Sequence, residues 1–206
     1  MKTQGLYQFA VAILRPIFKL LYWYKVIGRE NVPDDQPLLL CSNHTAYKDP
    51  IFLGISQKKQ VRFMAKSELF KNKLLGWLIS HLGAFPVERS GGVSAIHRGI
   101  EILKQKGIVG IFIEGTRSKT GEPLRPKPGF VMLAYETRAT VVPIAIVGKN
   151  GKPPRVFSRT VVNIGKPIPF DELGMKDNSS MEMRKVSRAV MEQIKELRAE
   201  VLNGGK

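Results

Sequence analysis

An apolar run, Leu38-Leu39-Leu40-Cys41, gives way to Ser42-Asn43-His44-Thr45-Ala46-Tyr47-Lys48-Asp49-Pro50. A short run of that kind between polar stretches is the pattern of a buried strand, and the residues at its exit accept, donate and move protons. Asp49 before Pro50 signals a helix start. Proline suits the first position of a helix, aspartate is a good N-cap, and the residue preceding proline is pushed out of the α region. The spacing predicts a loop from Asn43 to Asp49 and a helix starting near Pro50. On a continuous helix, residues five apart point about 140° away from each other, so only a loop that curls back brings His44 to Asp49. With the Asp49 carboxylate on one ring nitrogen, the other is left as an acceptor for the proton of an incoming hydroxyl. The pair is a triad lacking its serine, the missing nucleophile being the substrate's own alcohol, which attacks an acyl carbon without a covalent acyl-enzyme. The plain alternative is a hydrogen-bonded histidine after a strand and an aspartate that only caps a helix.

Three further segments bear on that choice. Gly83-Ala84-Phe85-Pro86-Val87-Glu88-Arg89, Phe112-Ile113-Glu114-Gly115-Thr116-Arg117-Ser118 and Val141-Val142-Pro143-Ile144-Ala145 come after the His44 stretch in that order. With N-H-x-x-x-x-D over Asn43, His44 and Asp49, these four blocks resemble the glycerolipid acyltransferases, and in particular the PlsC-type 1-acylglycerol-3-phosphate acyltransferases. The resemblance runs from about Tyr24 to about Ile168, with one departure at Glu88, where Asp or another residue is expected before the arginine. It implies catalysis by His44 and Asp49, with Lys66, Arg89, Glu114, Gly115, Thr116 and Arg117 around the substrate phosphate. Residue chemistry agrees for the third block: Gly lets backbone approach a ligand, Thr offers a hydroxyl, and a guanidinium grips phosphate oxygens in two-pronged fashion. For Lys66 a solvated strand end, for Arg89 a surface ion pair, and for Glu114 a brace on Arg117 or Thr116 remain open readings.

The chain has 206 residues, the size of one ordinary domain with a sizeable core. Its 33 Lys and Arg against 17 Asp and Glu give a formal charge of +16, which points to an anionic partner, nucleic acid or an acidic membrane surface. No nucleic-acid motif is recognisable and the basic runs lack aromatic interleaving, which favours the membrane. The single cysteine, Cys41, lies in the apolar run and excludes an internal disulfide or a cysteine zinc site.

Leu6 to Ile27 is rich in large apolar and aromatic residues, but Arg15, Pro16 and Lys19 fall near its centre. Charged groups there cost roughly 2.5–3.5 kcal/mol each on insertion scales, so an interfacial helix fits better than a span. Tyr22, Trp23 and Tyr24 are expected at the interface; a helix packed on the domain core or on a partner chain is the other reading. There is no small-residue cleavage site, so the expectation is a protein at the cytoplasmic face of the cell membrane, peripheral or monotopic.

Beyond the His44 loop, strands are expected at Val61–Ala65, Ala84–Val87, Ile108–Ile113, Val141–Val147 and Arg155–Ile164. Helices are expected at Asn72–Leu82, Ser94–Lys106 with Gly107 as C-cap, Gly129–Arg138 and Ser180–Leu202. His81 and His97 read as structural and exposed. Ser118 to Lys127 reads as a mobile flap, and Pro143, poorly suited to a central strand, as an edge or bulge that shapes an acyl pocket.

Alternating strands and helices define an α/β domain with a mixed, largely parallel sheet flanked by helices, over residues 28–206, preceded by a membrane-associating helix over 1–27. The resemblance implies acyl transfer from a thioester, acyl-CoA or acyl carrier protein, to lysophosphatidic acid, with no metal and no organic cofactor. Its rivals are an acyltransferase for glycerol 3-phosphate or another lysolipid, and a non-catalytic basic protein that binds membrane surfaces.

Overall fold

The apolar run around Leu40 becomes β2 (Leu38–Ser42), buried at every residue because sheet neighbours flank it on both sides and helices cover both faces. The structure, a computed structural model, describes residues 2–87 and 92–204. Parallel to β2 lie β5 (Ile108–Phe112) on one side and β6 (Thr140–Gly148) on the other. Outside β5 come β3 (Val61–Lys66) and β4 (Ala84–Val87); outside β6 come β7 (Thr160–Ile164) and β1 (Lys25–Ile27). The resulting 7-stranded sheet has the order β1-β7-β6-β2-β5-β3-β4, and only the β6–β7 pairing is antiparallel. This is the mixed, largely parallel sheet expected from the continuous apolar runs.

Helices sort onto the two faces by the alternation of side chains along the strands. On one face α1 (Lys2–Tyr22) and α2 (Asp49–Ser56) press Tyr7, Phe18, Phe52 and Leu53 against Leu38, Leu40 and Ile144. On the other, α4 (Gly92–Lys104), α5 (Gly129–Thr137) and α6 (Ser180–Asn203) pack Leu103, Phe130, Val186 and Val190 against Leu39, Cys41 and Val109. Each large apolar side chain so buried contributes roughly 1.5–3 kcal/mol. The strands β2, β5, β3, β4 and β6 run the same way, so their exits share one edge of the sheet.

Several elements differ from the sequence expectation. Pro143 sits inside β6, an interior strand, opposite Cys41. Its carbonyl accepts the Gly165 N–H at 2.9 Å, so its nitrogen faces that same side, where β7 has already ended at Ile164 and no donor is needed. Its side chain packs against Gly165 on the face covered by α6. The strand predicted over Arg155–Ile164 starts only at Thr160, and the unforeseen three-residue β1 pairs outside it at that edge of the sheet. At the end of α4 the left-handed residue is Lys106 (φ 55°), not Gly107. Gly107 N–H reaches Ile102 O at 2.9 Å and Lys106 N–H reaches Leu103 O at 2.9 Å, a Schellman ending with glycine one place later.

One face of α1 is buried and its Tyr7 hydroxyl donates to Gly54 O at 3.0 Å. Arg15 donates to the carbonyls of Ile55 (2.9 Å) and Gln57 (2.6 Å), capping the end of α2. Of the aromatic trio only Trp23 is exposed: Tyr22 is buried, and the half-buried Tyr24 donates to Phe52 O at 3.2 Å. α3 (Lys73–His81) exposes Leu74 and Trp77. No described helix is long and apolar enough to cross a membrane.

Candidate active site

The ladder between β2 and β6 ends at Ser42 opposite Ile144, but the pairing continues through a side chain. Buried Asn43 donates through Nδ2 to Ile146 O at 3.0 Å and accepts the Ile146 N–H at Oδ1, 2.8 Å away. A carboxamide can present one N–H and its oxygen side by side as a peptide group does, so Asn43 satisfies β6 while its own backbone peels away. That departure frees the main chain to form the loop bearing His44.

The loop is wound around a single oxygen. Asp49 Oδ2 accepts the N–H of Thr45 at 2.6 Å and of Ala46 at 2.7 Å, and lies 2.9 Å from His44 Nδ1. The contact forbidden on a helix is therefore made by a turn that Asp49 itself organises. Asp49 is fully buried and is the first residue of α2; it folds back over the loop and makes no forward cap. Its charge sits at the positive end of the helix dipole. An ionised carboxylate only accepts, so Nδ1 carries the proton and Nε2 is the acceptor; Nε2 makes no hydrogen bond to another described residue. The imidazole stacks on Phe112 with ring centroids 4.1 Å apart and is 18% exposed, held on one side and open on another.

The exit of β5 is tied to the same loop. Glu114 accepts the His44 backbone N–H at 2.9 Å on one oxygen and the Leu124 N–H at 3.2 Å on the other. It braces backbone, and neither Arg117 nor Thr116 is its partner. Burial pushes its carboxyl up from the ordinary value, against the pull of those two N–H groups. Gly115 turns the chain at φ +67°, where a Cβ would meet the Lys127 side chain. Ser118 N–H then donates to His44 O at 2.7 Å, closing the His44 loop onto the Gly-Thr-Arg turn.

Thr116 is exposed, and the Arg117 guanidinium lies over the Tyr47 ring, 3.4 Å from its centroid. The segment expected as a free flap is fastened along its length. Gly121 N–H donates to Ser118 Oγ at 3.2 Å, Lys127 N–H to Ile113 O at 2.7 Å, and Glu122 pairs with Arg198 of α6 at 2.5 Å. Lys66 ends β3 opposite Val87, at the same sheet edge as the other groups. Arg89, with Glu88, lies outside the described residues. His81 is structural, 2.7 Å from Trp77 O through Nδ1, and His97 is exposed. Among the described residues no cluster of three or more His, Cys, Asp and Glu could hold a metal ion.

Sequence reasoning did not assign roles to Asn43, Tyr47, Phe112 or Ser118. For Asn43 the motif position was visible but its partner, Ile146, is 103 residues away. A tyrosine amid polar loop residues was the one signal for Tyr47.

The model of the family described as Acyltransferase matches residues 24–147, which include all four sequence blocks. The chain belongs to the acyltransferase family. A relative in Bacillus subtilis, named 1-acyl-sn-glycerol-3-phosphate acyltransferase, is 35% identical over 93% of this chain and 96% of that protein. The chloroplastic 1-acyl-sn-glycerol-3-phosphate acyltransferase LPAT1 of Arabidopsis thaliana is 34% identical over 70% of this chain and 41% of its own length. The crystal structure of the 1-acyl-sn-glycerophosphate (LPA) acyltransferase PlsC from Thermotoga maritima superposes with a TM-score of 0.67, at 31% identity, over 85% of this chain and 72% of that one. Within this acyltransferase, the sheet edge carrying His44, Glu114 and Arg117 is the part with groups suited to proton transfer and anion binding.

Proposed function

We propose that this acyltransferase moves a fatty acyl group from a thioester to the free hydroxyl of 1-acylglycerol 3-phosphate, giving phosphatidic acid. The names of its relatives support that acceptor. The observation that carries the reading is the 2.9 Å contact of His44 Nδ1 with Asp49 Oδ2, which leaves Nε2 free as a base, joined through Ser118 N–H to a glycine turn bearing an arginine.

His44 Nε2 takes the hydroxyl proton as the alkoxide oxygen bonds to the thioester carbonyl carbon, and Asp49 stabilises the imidazolium that forms. Collapse of the tetrahedral intermediate breaks the carbon–sulfur bond. The thiol of the leaving group has a pKa of about 8.5, so it departs near neutral pH without a strong acid and then takes up the proton held on His44. One base serves both halves of the reaction. Arg117 and Thr116, with the Gly115 backbone and with Lys66 at the exit of β3, bind the phosphate and orient the hydroxyl, a role that extends to Arg89 by sequence alone. Acyl-CoA or acyl carrier protein is the co-substrate, and the residues call for no metal or organic cofactor.

The same reading puts the protein on the cytoplasmic face of the membrane. α1 presents Phe9, Ile13, Ile17 and Leu20 to the outside. Its end reaches the catalytic loop, where Lys48 Nζ donates to the Tyr22 hydroxyl at 3.3 Å. An acceptor lipid lying in the interface therefore has its headgroup beside His44.

The test is a purified-protein assay in detergent, offering lysophosphatidic acid, glycerol 3-phosphate and lysophosphatidylcholine with each donor. Wild type is expected to prefer lysophosphatidic acid. Substituting His44→Ala should abolish turnover, and Asp49→Asn should lower kcat by about 100-fold to 10,000-fold, because the carboxamide cannot stabilise the imidazolium. Turnover by His44→Ala, or preference for an acceptor without a phosphomonoester, would overturn the assignment.

A further inference from the structure

The geometry points to Tyr47 as the residue that positions Arg117, and so as a determinant of acceptor specificity; this rests on the phosphate-binding role proposed for Arg117. Tyr47 is 81% exposed, although large aromatic side chains are usually covered, and its hydroxyl makes no hydrogen bond to a described residue. The ring's one partner of note is the Arg117 guanidinium, stacked 3.4 Å from the centroid. Arg117 in turn forms no ion pair with a described carboxylate, because the neighbouring Glu114 is committed to the backbone of His44 and Leu124.

A guanidinium stacked on a ring uses its π face and keeps its N–H donors, which lie in its own plane, directed outward. That is the presentation a phosphate requires for two-pronged binding. An unsupported arginine on an exposed turn would have to order its rotamers when the anion arrives, so the ring removes part of the entropic cost of binding. Tyr47 lies between His44 and Asp49 in sequence, on the loop wound around Asp49 Oδ2. The platform for the headgroup arginine is therefore built on the segment that holds the base. Phosphate recognition and the position of the reacting hydroxyl are fixed by one loop, which favours a phosphomonoester set a short glycerol backbone away from the attacking oxygen.

The test compares Tyr47→Leu, Tyr47→Phe and Arg117→Ala in detergent micelles. Acceptors are 1-oleoyl-lysophosphatidic acid and the uncharged 1-oleoylglycerol, with whichever of oleoyl-CoA and oleoyl-acyl carrier protein wild type accepts. Tyr47→Leu should raise KM for lysophosphatidic acid about three- to tenfold with kcat within about twofold of wild type, the size expected of a cation–π contact. Tyr47→Phe should match wild type, since the ring face is kept. In an Arg117→Ala background Tyr47→Leu should add nothing. An unchanged KM in Tyr47→Leu, a fall in kcat alone, or equal damage in Tyr47→Phe overturns the role of Tyr47. Should Arg117→Ala keep the preference for lysophosphatidic acid over 1-oleoylglycerol, the phosphate site itself is wrong. Loss of that preference in Arg117→Ala with no effect of Tyr47→Leu refutes the platform alone.

Discussion

At the scale of single residues, two carboxyl groups bonded to the same His44 loop divide the labour of the site. Asp49 gathers two backbone N–H groups and the imidazole on one oxygen, so the acid that steers His44 also shapes the loop that brings it within reach. Glu114 spans two loops, with one oxygen on His44 and the other on Leu124. Its carboxyl is raised by burial, so the folded chain holds that proton more tightly than the unfolded chain, whose value is about 4.3. This group's contribution to stability therefore falls as pH rises from about 4.3 through the raised folded value, and is flat above it. Relative to Glu114→Gln, which does not titrate, wild type should gain melting temperature as the buffer is taken from neutral toward pH about 4.5. Thermal melts of the two proteins across that range check this. A difference in Tm that stays constant, or that moves the other way, would contradict a carboxyl raised by burial.

At the scale of elements, the end of β2 decides whether a catalytic loop exists at all. The Asn43 side chain stands in for a rung of the β2–β6 ladder, so Asn43→Ala leaves a buried N–H and a buried carbonyl of Ile146 unpaired. That should cost about 2–4 kcal/mol, read as a lower denaturant midpoint at unchanged slope. Asn43→Asp should be destabilised as well, because a carboxylate cannot donate to the Ile146 carbonyl. A variant as stable as wild type would show that the amide is not a structural rung.

The same physics decides which elements were legible. β2, β5 and β6 are buried on both faces and write themselves as continuous apolar runs, and the His44 loop is announced by Asp49-Pro50. β1 spans only Lys25–Ile27 at the sheet edge, half exposed, too short for any period to register. Pro143 misled because proline's fitness in a strand depends on where the neighbour stops, a fact held by Ile164 and Gly165 far along the chain. The flap misled similarly: its fastening to Glu114, Ile113 and Arg198 depends on partners outside Ser118–Lys127. In the site, His44, Asp49 and the Gly-Thr-Arg turn could be read from residue types, whereas the Tyr47–Arg117 stack and the Asn43 rung join distant segments.

At the scale of the whole molecule, the charge of +16 meets an exposed apolar surface, and the two together suit an anionic bilayer. The outer face of α1 continues beyond Leu20 to Trp23. There Phe157 N–H donates to Leu21 O at 2.6 Å, which brings a second exposed aromatic, 71% exposed, beside the helix end. Trp23 (φ 40°) and Phe157 (φ 57°) both adopt the left-handed region that bulky residues avoid, at a cost of roughly 1–2 kcal/mol each. Arg155 and Arg159 flank Phe157, and Lys25 comes two places after Trp23, giving the aromatic step a basic rim. On the membrane placement proposed above, these two strained and exposed rings enter the acyl boundary of a lipid leaflet. Phe157→Ser should therefore lower partition onto phosphatidylglycerol vesicles about tenfold, as loss of a buried phenyl group implies, and leave the melting temperature unchanged or raised. Binding should also weaken in about 0.5 M salt and on phosphatidylcholine, because the rim acts through screened charge. Cosedimentation at graded lipid concentration measures both effects. Wild-type and Phe157→Ser proteins that partition alike would remove Phe157 from the membrane-facing surface, and a wild type left in the supernatant at low salt would remove that surface altogether.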